Sequence, residues 1–182
     1  MNLGRAAVVL LAGTLLSASC SHAPIAARLD GSACSGLAAE PRELEVYGAV
    51  LASINDKHSV ELKAETRGSD PHVLSMLGLG RGSKARSALA PEASAAMVDY
   101  RQRNKQHACL RQAPTRILEA DAENGAVTII LSRVGFDARQ RYAVVSFEAT
   151  DAGGSHSLRR GLVALVKTDV GWLVFTRMSL TA

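Results

Sequence analysis

The first twenty residues constrain this chain most, because they decide in which compartment the remainder folds. Asn2 to Arg5 bring one positive charge, Ala6 to Leu16 form a run of small and apolar residues, and Leu16-Ser17-Ala18-Ser19-Cys20 closes the segment with small side chains. That run is too short to cross about 30 Å of hydrocarbon. A basic start, an apolar middle and a small-residue end are the three parts of a secretory signal. The pattern predicts a signal peptide over residues 1–19 and a body that folds outside the cytoplasm, where disulfides persist. No later segment is apolar enough to span a bilayer.

Leu16 to Cys20 resembles the bacterial lipoprotein box, in which small residues precede a cysteine. The resemblance implies lipidation of Cys20 on sulfur, cleavage just before it and acylation of the new amine. The chain would then sit in the cell envelope, anchored to a membrane and facing the periplasm, with membrane lipid as its first partner. The alternative is ordinary signal-peptidase cleavage, for which Ser21-His22-Ala23 is a usable site, and a secreted product. Two or three acyl chains, at about 0.8 kcal/mol per buried CH₂, anchor a protein stably without a transmembrane helix.

Removal of the signal leaves about 160 residues, enough for one domain with a real core. Aromatic residues are only 4% of the chain, so that core must be aliphatic. The formal charge of +4 comes from 21 Lys plus Arg against 17 Asp plus Glu; without Arg5 it is 20 against 17, or +3. This excess is too small to argue for nucleic acid, which calls for a clustered basic face with stacking aromatics. Anionic lipid remains compatible, each cation near such a surface adding about 1 kcal/mol. Cys34 and Cys109 are the cysteines left to the mature chain, an even number in an oxidising compartment. A bridge between them is worth about 4 kcal/mol by chain entropy. Two unpaired thiols are the alternative, and sequence alone gives no Cα separation with which to choose.

Residues 20–40, rich in Ala, Ser and Gly and without periodicity, are expected to be a flexible tether. A single domain is expected over 41–182. Pro41 suits a first helical turn, and Leu44, Tyr47, Val50, Leu51 and Ile54 recur at helical spacing, predicting a helix over Pro41 to Ile54. Ser59 to Thr66 alternates as a half-buried strand does. Arg67 to Ala90 has the Gly, Ser and Pro content of a loop, with a short helical turn near Val73 to Leu77. Pro91 opens a second helix, with Ala93, Ala96, Met97 and Tyr100 on one face. Strands follow at Val127 to Val134, Tyr142 to Thr150, Leu158 to Lys167 and Gly171 to Leu180, joined late by hairpin-like turns. The order predicts an α+β fold, its N-terminal helices packed on one face of an antiparallel sheet of about four to five strands.

The segment Leu131-Ser132-Arg133-Val134-Gly135-Phe136, then an apolar strand, a Gly-rich hairpin and a last strand opening Gly171-Trp172, resembles a group of uncharacterised bacterial secreted proteins and lipoproteins. These carry an SRVGF segment, a glycine-rich turn and a closing GxW strand. Glu45 to Leu51 and Asp99 to Asn104 resemble their first and middle helices. The likeness runs over roughly Leu44 to Leu180, and it implies architectural roles for Arg133, Gly135, Phe136 and Trp172. Many members have a cysteine pair in the hairpin, and Thr150 to Ser155 has none. The resemblance assigns no activity and no catalytic residue.

Other constellations fail on geometry. Ser155 and His156 are adjacent, and adjacent strand residues point to opposite faces, so they do not form a catalytic pair. The histidines at 22, 58, 72, 107 and 156 have no metal-ligand spacing, and His107 with Cys109 supplies two ligands where four are needed. Gly78 to Lys84 misses both the P-loop and the dinucleotide spacing; with Arg81, Lys84 and Arg86 it reads as a basic loop. Asp99 and Arg103 suit an i,i+4 ion pair. Arg133, in mid-strand, is expected to pair with a carboxylate such as Glu148. Phe136 is expected to be buried, with an exposed recognition patch as the alternative. No cofactor or metal and no catalytic role is expected. The function expected is a non-enzymatic binding or structural role for an envelope lipoprotein. A small-ligand binder using the concave sheet face is second, and a hydrolase-like enzyme third.

Overall fold

The computed structural model describes residues 27–31, 33–54, 60–68, 75, 91–111, 127–150 and 157–181. The signal segment, Cys20, the basic loop from Gly78 to Arg86 and the Ser155-His156 pair lie outside the described residues, as do His22, His58 and His72. The elements, in chain order, are β1 (Ala27–Leu29), β2 (Leu37–Ala38), α1 (Pro41–Ile54), β3 (Val60–Leu62), α2 (Pro91–Arg103) and β4 (Ala108–Cys109). They continue with β5 (Val127–Leu131), β6 (Gly135–Phe136), β7 (Tyr142–Thr150), β8 (Ser157–Thr168) and β9 (Gly171–Thr181).

The main sheet has the order β1-β3-β5-β7-β8-β9, with the short β6 also on β7. β1, β3 and β5 are parallel, and β7, β8 and β9 alternate in direction. The sheet is therefore mixed and larger than the antiparallel one expected. The cause lies in the connections: parallel neighbours need a long crossover, and α1 and α2 supply the two that separate β1 from β3 and β3 from β5. The class remains helices on a largely stranded core.

The helices do not share a face. Val46, Tyr47, Val50 and Leu51 of α1 cluster with Ala143, Val145 and Phe147 of β7 and with Val163 and Leu165 of β8. Ala93, Ala96, Met97 and Tyr100 of α2 cluster instead with Val144, Leu162 and Ala164. Since successive strand residues point to opposite faces, α1 and α2 cover opposite sides of the sheet. The expectation of one covered face is corrected by the run Leu162-Val163-Ala164-Leu165, every residue of which is fully buried. A continuous apolar run is the mark of a strand buried on both faces.

The described part of the segment expected to be a tether, residues 27–31 and 33–40, departs from expectation. β1 pairs with β3, and β2 forms a small parallel sheet with β4. Cys34 is bonded to Cys109, with a Cα–Cα distance of 5.7 Å. Alanine- and serine-rich sequence without periodicity carries no signal for strands of two or three residues, whose stability comes from the partner.

Gly135 marks where α2 meets the sheet. A Cβ there would lie 2.3 Å from the Tyr100 backbone nitrogen and 2.4 Å from the Ala96 carbonyl oxygen. Helix backbone cannot yield as a flexible side chain does. Gly135→Ala is expected to destabilise the fold by about 3 kcal/mol, the upper part of the overpacking range, lowering the melting temperature by roughly 6–12 °C. A thermal melt equal to wild type would show that α2 is not seated there.

Candidate functional site

The densest polar arrangement among the described residues surrounds Arg133, where α1, α2 and the segment between β5 and β6 meet. It starts at the N-terminus of α1. Pro41 fills the first helical position and Glu43 the third, from which its carboxylate reaches back to the Glu40 backbone N–H at 2.9 Å. This is the carboxylate half of a capping box. It satisfies one of the orphan donors of the first turn.

Glu43 does far more than cap. It is fully buried. Its Oε1 accepts from the Val134 backbone N–H at 3.1 Å and from Arg133 Nε at 3.3 Å, and its Oε2 from Arg133 Nη2 at 3.2 Å. Arg103 Nη1 of α2 lies 3.3 Å from the same Oε1. That nitrogen is buried without a hydrogen-bond partner, so its attraction to Glu43 is Coulombic and poorly aligned. Glu40 receives Arg103 Nη2 at 2.6 Å and Arg42 Nε at 2.5 Å. Asp99 completes the group: its Oδ2 takes Arg103 Nε at 3.1 Å and the Phe136 backbone N–H at 2.9 Å. The i,i+4 pair expected on α2 is thus present, and it reaches into the sheet.

Asn104, just past α2, fastens the backbone of Arg133 on both sides. Its Oδ1 accepts from Arg133 N–H at 2.8 Å, and its Nδ2 donates to the Arg133 carbonyl at 2.9 Å. Tyr47 of α1 donates its hydroxyl to the Ser132 carbonyl at 3.0 Å, while Tyr100 of α2 donates to Ser146 Oγ at 2.8 Å. Burial pushes the Tyr47 hydroxyl well above its ordinary range. The two tyrosines hold the sheet from opposite faces.

The pairing partner expected for Arg133 is corrected here. Glu148 binds Arg67 and Arg160 instead, the latter at 2.8 Å. Arg133 points to the α1 end, where the fully buried Glu43 carboxylate needs a cation most.

Phe136 is 5% exposed, so the recognition-patch alternative falls. Its ring stands 5.9 Å from that of Trp172, with the Arg42 guanidinium 4.9 Å and the Arg103 guanidinium 5.7 Å from its centroid. Trp172 is 9% exposed, and its Nε1 is buried without a hydrogen-bond partner. Arg133, Gly135, Phe136 and Trp172 therefore converge at one place. Sequence reasoning missed Glu40 and Glu43; the available signal was Pro41 at the first helical position followed by Glu at the third.

The cluster sets Arg42, Arg103 and Arg133 against Glu40, Glu43 and Asp99, three charges against three. A neutral, internally paired group suits fixed architecture and leaves no surplus charge to attract an ion. Elsewhere, His107 Nδ1 lies 2.6 Å from the Thr66 carbonyl, and the Cys109 sulfur is taken up in the disulfide, so the two are not a ligand pair. Among the described residues, no group of three or more His, Cys, Asp or Glu is placed to hold a metal ion. No helix among them is long and apolar enough to cross a membrane. No family model, curated protein or solved structure matches the chain.

Two predictions follow from the charges. Removing the Glu43 charge takes a fully buried partner away from two guanidinium groups, and breaking one side of such a pair costs about 3–5 kcal/mol. Glu43→Gln should show that loss in urea unfolding; a midpoint within error of wild type would mean that water reaches the cluster. Partial burial alone would raise the Glu40 carboxyl, but hydrogen bonds from Arg42 and Arg103 outweigh it and hold the carboxyl below its ordinary value. A depressed carboxylate stabilises the fold above its unfolded pKa and loses that contribution as pH falls through the folded value. Melting temperature should therefore fall below about pH 4.5, and Glu40→Gln should flatten that acid limb. An acid limb identical in both proteins would remove Glu40 from the account.

Proposed function

We propose that this chain is a bacterial envelope lipoprotein, acylated at Cys20, whose domain has a non-enzymatic binding or structural role. The observation that carries the proposal is the Cys34–Cys109 bond. Such bonds persist in oxidising compartments and are rare where thiols are kept reduced. The bond therefore supports export, and the N-terminal pattern of a basic start, an apolar run and Cys20 supports a lipid anchor after it. The same reading places the chain beside the bacterial group whose SRVGF segment it resembles.

A structural role draws support from the Arg133 cluster, in which each charge is matched within the fold. A ligand pocket in the middle of the sheet draws none, since Val46, Tyr47, Val50 and Leu51 pack on one face and Ala93, Ala96 and Tyr100 on the other. Membrane lipid is the partner the proposal names; nucleic acid has no part in it.

Cys20→Ala should move the protein from the membrane fraction to the soluble fraction or leave it unprocessed. Mass spectrometry of the wild type should find acyl mass on an N-terminal cysteine. A mature chain starting at Ser21 or later, without lipid, would refute the anchor.

A further inference from the structure

The disulfide lies close in sequence to the proposed anchor. Cys20 and Ala27 are 7 residues apart in sequence, and Ala27 is already in the main sheet. Beyond it, β1 is three residues long and β2 two. Leu29 and Ala39 are partly buried against the main core, and polar contacts add to these. Asp30 N–H donates to the Leu62 carbonyl at 3.0 Å, Ala64 N–H donates to Asp30 Oδ1 at 3.1 Å, and Lys63 pairs with Asp30 at 3.0 Å. Ala39 N–H donates to the Cys109 carbonyl at 2.8 Å. Ladders so short are marginal without a further constraint. The Cys34–Cys109 bond lies between them and joins this segment to β4, 75 residues away in sequence.

The polarity of the sheet gives the segment a direction. Ala27 pairs with Val60 and Val60 with Val127, and that same end carries Thr150, Ser157 and Thr181. The turn between β8 and β9, at Asp169–Val170, is at the other end. β8, with 12 residues, spans about 40 Å at 3.3 Å per residue.

We propose that the Cys34–Cys109 bond is a latch on the anchored segment. It clamps β1 and β2 to the domain and keeps the Ala27 end of the sheet, rather than the Asp169–Val170 hairpin, nearest the membrane. The inference rests on acylation of Cys20. With the latch closed, the chain between Cys20 and the sheet reaches at most about 25 Å. With it open and residues 27–39 released, the first fixed point becomes Glu40, held by Glu43 and Arg103, and the reach rises to about 70 Å. Opening takes two electrons and two protons from a dithiol, which closes to its own cyclic disulfide and leaves two thiols. Cys34 is half-buried and Cys109 buried, so attack comes from the Cys34 side. The bond thus makes the distance between domain and bilayer depend on redox state.

The test uses trypsin on the acylated full-length protein in vesicles of phosphatidylethanolamine and phosphatidylglycerol. The peptide bond after Arg28 lies in β1, so a closed latch protects it, while a cut there frees the domain from the anchor. Either dithiothreitol or the double variant Cys34→Ser, Cys109→Ser should speed cleavage after Arg28 at least tenfold. A fragment beginning at Leu29 should then appear in the supernatant. Cleavage after Arg133, which is buried, reports loss of the whole fold and should stay unchanged. Equal cleavage after Arg28 in both forms overturns the latch. So does cleavage after Arg133 that rises in step with it, since the bond would then support the entire domain. If the wild type does not sediment with vesicles, the anchor alone falls, and the Arg28 comparison in solution still decides the latch.

Discussion

The carboxylate of Glu43, withdrawn completely from solvent, receives backbone donors from Glu40 and Val134 and the guanidinium of Arg133. Desolvating a carboxylate costs several kcal/mol even after relaxation, and attraction to a cation offsets this only when the remaining lone pairs are satisfied. That condition ties three elements to one geometry. α1 must begin at Pro41, the chain must turn between β5 and β6 at Val134, and α2 must bring Arg103 alongside. A shift of any one strands a buried charge, a heavier penalty than losing an apolar contact.

Around that point the sheet is buried twice. α1 closes one face of β7 and β8 with large aliphatic side chains and Tyr47, whereas α2 closes the other with Ala93, Ala96, Met97 and Tyr100. Small side chains let α2 approach closely, and Gly135 is the counterpart in the sheet: its missing Cβ makes room for the Tyr100 and Ala96 backbone. The scarcity of aromatics has a consequence here. With few large rings to fill space, close backbone approach and aliphatic layers carry the packing, and Phe136 and Trp172 seal the edge where the charged cluster begins.

The N-terminal segment joins the domain by different means. Of its described residues, Leu29 and Ala39 pack against the main core, and short ladders and one covalent bond hold the rest. Under the proposed anchor it would carry any load between lipid and domain. A disulfide resists extension in a way that two- and three-residue ladders do not.

Sequence by itself determined the elements whose signal is local. Helical spacing placed α1 from Pro41 to Ile54 and placed α2 from Pro91, and alternation with turn residues placed β7, β8 and β9. The SRVGF segment was legible as architecture because glycine beside bulky residues implies a close approach. What only the tertiary structure decided is everything set by a partner distant in sequence. β1, β2 and β4 are too short to show a period, and exist because β3, β4 and a disulfide hold them. The opposite placement of the helices depends on both faces of β7 and β8 being apolar, which Val144 and Leu162 to Leu165 record but a search for alternation passes over. The partner of Arg133 is Glu43, 90 residues earlier, rather than Glu148 in the same sheet. Charge pairing has no period, and burial, which chooses among carboxylates, comes into being only when the helices dock.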